Sequence, residues 1–140
     1  MRLVLDTNIL IAALVKNSIT CEILIHPDMK YFIPEFAIDE IEKHEMEILQ
    51  KSCLSKDEFT TLFDYLKENL ILVPDEEIEH KEKAKLIMKD IDINDTIFIA
   101  LALSTKNEGI WSQDCHFEKQ TLIKVWKTKD IINYLGIEHQ

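Results

Sequence analysis

The stretch Leu3-Val4-Leu5-Asp6-Thr7-Asn8-Ile9-Leu10-Ile11-Ala12-Ala13-Leu14-Val15 decides the fold class. Leu3, Val4 and Leu5 are apolar and free of glycine and proline, so residues 2–5 read as a buried strand. Thr7 or Asn8 can cap a helix over about 8–16. An acid, Asp6, stands where the strand hands over to the helix.

The same alternation runs on from there. A second helical piece covers about 20–26 and ends at His26-Pro27, and Tyr31-Phe32-Ile33 reads as a strand stopped at Pro34. A helix near 35–50 carries Ile38, Ile41, Ile48 and Leu49 roughly on one side. Ser55 and Glu58 form a capping-box pattern, and Phe59, Leu62, Phe63 and Leu66 follow at helical spacing. Leu70–Val73 reads as a third strand ending at Pro74, followed by a polar, surface-lying helix over about 76–89. Residues 95–106 are apolar nearly all round, the pattern of a buried helix that Gly109 terminates. Ile110-Trp111-Ser112 and Ile123–Trp126 read as the last strands, and Thr128–Leu135 as a final helix stopped by Gly136. Strands alternating with helices imply a parallel sheet with right-handed crossovers.

A length of 140 residues is enough for one domain, 1–140, with a real core. With 2 glycines and 3 prolines, long flexible linkers are not expected. No apolar run approaches the roughly 18 residues of a membrane span, and no signal-peptide layout precedes Leu3. Cys21, Cys53 and Cys115 are scattered and odd in number, which reads as reduced thiols in a cytoplasmic setting. Cys115-His116 is the nearest approach to a zinc pair, but adjacent side chains are expected to diverge and no second pair supplies ligands. The net charge of −10 argues against a protein that coats nucleic acid, though not against an enzyme that binds RNA locally.

Four acids carry the chemistry: Asp6, Glu40, Asp95 and Asp114. Asp6 closes the first strand, Glu40 lies on the helix opened by Pro34, Asp95 opens the apolar helix, and Asp114 follows Ile110-Trp111-Ser112. The carboxyl ends of parallel strands gather on one edge, where ligands bind. Two like charges about 4 Å apart cost about 4 kcal/mol at an effective dielectric of 20, so such a cluster needs a cation. Oxygen donors fit Mg²⁺ or Mn²⁺ better than Zn²⁺ and point to phosphoryl chemistry. Each acid also has a plainer reading. Asp6 can cap the first helix, Glu40 can be one more solvated acid beside Asp39 and Glu42, Asp92 or Asp95 can cap the apolar helix, and Asp114 can be a loop residue.

Leu5-Asp6-Thr7-Asn8-Ile9-Leu10, Glu40-Ile41, Asp95 with Ala100-Leu101-Ala102, and Trp111-Ser112-Gln113-Asp114 together resemble the PIN-domain nucleases, in the right order and over nearly the whole chain. The resemblance implies a three-layer α/β/α fold around a parallel sheet of order 3-2-1-4-5. It implies a Mg²⁺- or Mn²⁺-dependent endoribonuclease, in which metal-held carboxylates activate water to attack an RNA phosphodiester. Many members of this size are VapC-type toxins, inhibited by a cognate antitoxin and often dimeric. Carried over by position, Asp6, Glu40, Asp95 and Asp114 match the acidic quartet, with Asp6, Asp95 and Asp114 as metal ligands. Asn8 and Ser112 match supporting polar residues, and Asp92 an additional acid of one branch; Ser112 stands where many members have threonine.

His116, two residues past Asp114, reads as a local loop residue rather than a proton-transfer group. Lys81, Lys83, Lys85 and Lys89 alternate with Glu79, Glu82 and Asp90 and read as a solvated helix face rather than an RNA-contacting strip. The apolar run Ile9–Val15 exceeds one helix face and suggests a homodimer. One rival is a PIN-like binding module that no longer cleaves. The other, a receiver- or phosphatase-like protein, wants an aspartate at the position that Asn8 fills.

Overall fold

The computed structural model describes residues 1–15, 18–89 and 93–138. Five parallel strands form one sheet in the order β3-β2-β1-β4-β5, inside a three-layer α/β/α arrangement. The strands are β1 (Arg2–Leu5), β2 (Lys30–Pro34), β3 (Leu70–Val73), β4 (Ile110–Trp111) and β5 (Val125–Trp126). β1 lies at the centre, pairing with β2 through Leu3↔Tyr31 and with β4 through Leu5↔Trp111. Its residues Leu3, Val4 and Leu5 are fully buried, as a strand covered on both faces requires. From β1 the chain builds outward to β2 and β3, then returns to place β4 on the other side of β1. The strand order therefore reverses between β1 and β4, and a crevice at the carboxyl ends of those two strands follows from the topology.

Helix α1 (Thr7–Leu14) starts directly after β1, and α2 (Ser18–Leu24) packs against it. Ile9, Leu10, Ala13 and Leu14 are buried within the chain itself. The apolar excess that suggested a dimer is thus largely absorbed by the core. Tyr31 ties β2 to α2, its buried hydroxyl donating to the Ile23 carbonyl at 2.9 Å, and its ring lies 5.6 Å from that of Trp111.

The single helix expected over 35–50 is two, α3 (Glu35–Lys43) and α4 (Glu45–Ser52). His44 breaks it with φ −100° and ψ 16°, and both pieces then lie against α1. No glycine or proline marks the break, which is why periodicity missed it. α5 (Lys56–Leu66) has the expected capping box, with Ser55 Oγ accepting from the Glu58 N–H at 3.1 Å and Glu58 Oε1 accepting from the Ser55 N–H at 3.0 Å.

The helix expected over 76–89 is shorter, α6 (Lys81–Ile87), and it is not wholly superficial, since Ala84 and Met88 are buried against the core. The long apolar helix is α7 (Ile93–Ser104), packed on α6 and on β1 and β2. Gly109 does not end it. The Asn107 side chain does, donating to the Ala102 and Thr105 carbonyls. Gly109 has φ +135°, and a Cβ there would stand 2.3 Å from the Lys124 carbonyl oxygen. Its role is to let β4 and β5 approach. Helix α8 (Thr128–Leu135) ends at Gly136 with φ +68°, the left-handed cap expected.

Candidate active site

Asp6 and Asp114 stand just past the carboxyl ends of β1 and β4, and Asp95 approaches Asp114 from α7. Asp6 leaves β1 as the N-cap of α1, with φ −72° and ψ 138°, and its Oδ1 accepts from the Asn8 N–H at 3.3 Å. The capping reading of Asp6 is therefore correct as far as it goes. A cap is ordinarily solvated, whereas Asp6 is only 4% exposed. Burial pushes its carboxyl pKa up, the hydrogen bonds from Ser112 and Asn8 pull it down, and the Asp114 charge pushes it up again as the smallest influence. Crowding of like charges is thus not the main perturbation at Asp6; loss of water is.

Ser112 is the joint between the two strands. It is fully buried after β4, and its hydroxyl donates to Asp6 Oδ2 at 2.7 Å. The Ser112 Oγ in turn accepts from the Asp114 N–H at 2.9 Å. Asp114 then caps a 3₁₀ turn over Cys115–Lys119, its Oδ1 accepting from the His116 N–H at 2.9 Å. Behind this loop, Gln113 accepts from the Thr128 N–H at 2.9 Å and Trp111 donates to Thr128 Oγ1 at 3.1 Å, so the start of α8 buttresses it.

Asp95, in the first turn of α7, joins through an unforeseen residue. His116 Nδ1 lies 3.6 Å from Asp95 Oδ2 and 3.5 Å from Asp114 Oδ1. That nitrogen is buried and, among the described residues, has no hydrogen-bond partner. His116 is therefore not a bystander of its loop but a bridge between two acids from different elements. The one sequence signal for this was its position two residues past Asp114. Cys115 corrects a second expectation. Ligating atoms of Asp114, Cys115 and His116 all lie within 4.8 Å of one another, so the Cys115 and His116 side chains do not diverge.

Glu40 arrives from another direction. It is half-buried on α3 and lines a cleft of about 330 Å³ with Asn8, Ile11, His44, Glu47, Ile48 and Lys51. Asn8 is shared between this cleft and the α1 cap that holds Asp6. Asp92 lies outside the described residues. Lys81 and Lys85 border a smaller cleft with Thr96 and Ile97, the two residues that follow Asp95 on α7, so part of the lysine strip faces α7.

The family model described as PIN domain matches residues 4–136. The chain belongs to the PIN-domain family. No curated relative matches it. PIN domains are generally nucleases and typically use divalent metals. The donors in this PIN domain suit such an ion. Asp6, Asp95 and Asp114 offer carboxylate oxygens, and each Asp6 oxygen keeps a lone pair beyond the single bond it accepts. No helix among the described residues is long and apolar enough to cross a membrane.

Proposed function

We propose that this PIN domain is an endoribonuclease that hydrolyses RNA phosphodiesters with Mg²⁺ or Mn²⁺, held by Asp6, Asp95 and Asp114. One observation carries the reading: buried Asp6 is tied through Ser112 to Asp114 at the strand-order reversal, and the His116 imidazole stands between Asp114 and Asp95. A buried, desolvated carboxylate that only capped a helix would be a stability defect without a purpose. An ion bound there supplies a Lewis acid for the phosphoryl oxygens and lowers the pKa of water.

The chain's own residues set the stage for that chemistry. Ser112 fixes the spacing of Asp6 and Asp114 with one oxygen, and Asn8 holds the second Asp6 oxygen. Glu40 completes the acidic set from the α3 side, across the cleft that Asn8 lines. Lys81 and Lys85 offer positive charge beside α7 for the RNA backbone, Lys85 while paired with Glu82 at 3.3 Å.

In this reading the protein is the toxin of a toxin–antitoxin pair in the cytoplasm, a homodimer silenced by a cognate antitoxin. That part rests on the resemblance to VapC-type members of similar size. The deciding experiment is cleavage of a mixed RNA substrate by purified protein with Mn²⁺, with Mg²⁺ and with excess chelator. Metal-dependent cleavage is expected. Its absence would favour a PIN-like module that binds without cutting. Light scattering at high micromolar concentration tests the dimer, and a short co-transcribed partner with a DNA-binding fold tests the toxin assignment.

A further inference from the structure

The triad Asp114, Cys115 and His116 holds donors that magnesium chemistry does not use. Hard cations take oxygen ligands, whereas thiolate and imidazole select softer transition ions. Here a carboxylate, a thiol and an imidazole present ligating atoms within 4.8 Å of one another. Zinc is bound by this mixture of donors, at about 2.0–2.1 Å from nitrogen or oxygen and about 2.3 Å from sulfur. Two such N or O ligands on a tetrahedral ion stand about 3.4 Å apart. His116 Nδ1 lies 3.5 Å from Asp114 Oδ1 and 3.6 Å from Asp95 Oδ2, close to that separation and too long for good hydrogen bonds. Among the described residues that nitrogen makes no hydrogen bond, although the imidazole as a whole is 44% exposed. Cys115 is exposed and Asp114 half-buried, so an ion can enter from solvent.

We propose that Asp114, Cys115 and His116 form a site for a thiophilic divalent transition ion, with zinc the fitting one, and that an ion held there blocks cleavage by withdrawing Asp114 from the acidic set. Binding exchanges the Cys115 thiol proton, released to solvent, for a sulfur–metal bond. The blocking role rests on the nuclease reading above; the site itself does not. The difference between the two ions is one of ligand softness: Mg²⁺ or Mn²⁺ has no use for Cys115, and the soft ion requires it.

The test uses the full chain with Co²⁺ as a spectroscopic stand-in for Zn²⁺. A thiolate-to-cobalt charge-transfer band is expected in the wild type and in Cys53→Ser, and is expected to vanish in Cys115→Ser, with apparent Zn²⁺ affinity falling at least about tenfold. Because Cys115 is exposed, its replacement leaves the core intact, and His116→Ala should weaken Zn²⁺ binding by a similar factor. A wild-type cobalt complex without the band, or a band that survives in Cys115→Ser, overturns the site. In the cleavage assay with Mn²⁺, Zn²⁺ should inhibit the wild type, and Cys115→Ser should keep basal cleavage while needing at least about tenfold more Zn²⁺ for inhibition. Equal inhibition of both, or zinc binding without inhibition, overturns the blocking role. A wild type with no Mn²⁺-dependent cleavage overturns the nuclease reading and the blocking role together, while the cobalt spectrum still decides the site.

Discussion

The two sides of the strand-order reversal are built differently. On the β1 side, Asp6 is buried and accepts two hydrogen bonds, from the Asn8 N–H and the Ser112 hydroxyl. On the β4 side, Asp114 and Asp95 keep 25% and 19% of their side-chain surface in solvent and flank an imidazole at 3.5–3.6 Å, too far for firm bonds. One side is dry and fixed, the other wet and open. The dry side stores an electrostatic penalty, and the wet side can be reached from solvent. That division suits a site whose geometry is fixed from the core outward and whose cation arrives from solvent.

The largest effect should come from cutting the string at either end. Asp6→Asn and Asp95→Asn are each expected to lower Mn²⁺-dependent RNA cleavage at least about 100-fold, since even outer-shell changes around a metal cost about 10–100-fold. Rates from purified variants, with a chelator control, check this. Undiminished cleavage in either variant removes that acid from the site.

Ser112→Ala addresses the joint itself. It removes the donor to Asp6 and the acceptor of the Asp114 N–H while leaving every candidate ligand in place. A loss of about 10–100-fold in cleavage is expected, with a weaker apparent Mn²⁺ affinity. If the variant cleaves at the wild-type rate, the two sides are not mechanically joined and the contrast between them loses its meaning.

Glu40→Gln sharpens the comparison from outside. Glu40 lies half-buried across the Asn8 cleft rather than in the Asp6–Ser112–Asp114–His116–Asp95 string. Its replacement should therefore reduce cleavage less than Asp95→Asn does in the same assay. The reverse order would make Glu40 a primary ligand and move the centre of the site toward α3.

The two strands that frame the site, β1 and β4, were legible in the sequence because each signal was local: Leu3-Val4-Leu5 before Asp6, and Ile110-Trp111-Ser112 before Asp114. The strand order itself came from the family likeness, not from periodicity. Three features were not legible. The break at His44 has no glycine or proline to announce it, because packing of α3 and α4 on α1 overrides local preference. Gly109 read as a helix stop because the approach of the Lys124 carbonyl is a non-local contact. His116 read as a loop residue because its partner Asp95 lies on another element, and no spacing rule connects residues 95 and 116. Side-chain bridges between distant elements are the part of a site that a linear pattern cannot encode.

The smallest expected effect concerns stability, and it depends most directly on the dry side being dry. Burial raises the Asp6 pKa, so the folded chain binds that proton more tightly than the unfolded chain does. The metal-free protein therefore gains stability from Asp6 as pH falls. The gain is complete below the ordinary carboxyl range near pH 4 and is lost as pH rises through the raised folded-state value. Above that raised value the penalty is fully present, and Asp6→Asn should relieve it, raising the metal-free melting temperature by about 2–5 °C for a domain of this size. The advantage should shrink as pH falls, because protonated wild type and variant then carry the same charge. Asp114→Asn should gain less, since Asp114 is half-exposed and its carboxylate caps the 3₁₀ turn through the His116 N–H. Millimolar Mn²⁺ should stabilise the wild type by mass action and help Asp6→Asn far less. Scanning fluorimetry across pH, with and without Mn²⁺, measures all three. If Asp6→Asn melts lower than wild type at pH 7 and Mn²⁺ leaves the wild type unmoved, Asp6 is an ordinary helix cap, and the division between a dry anchor and a wet ion seat collapses.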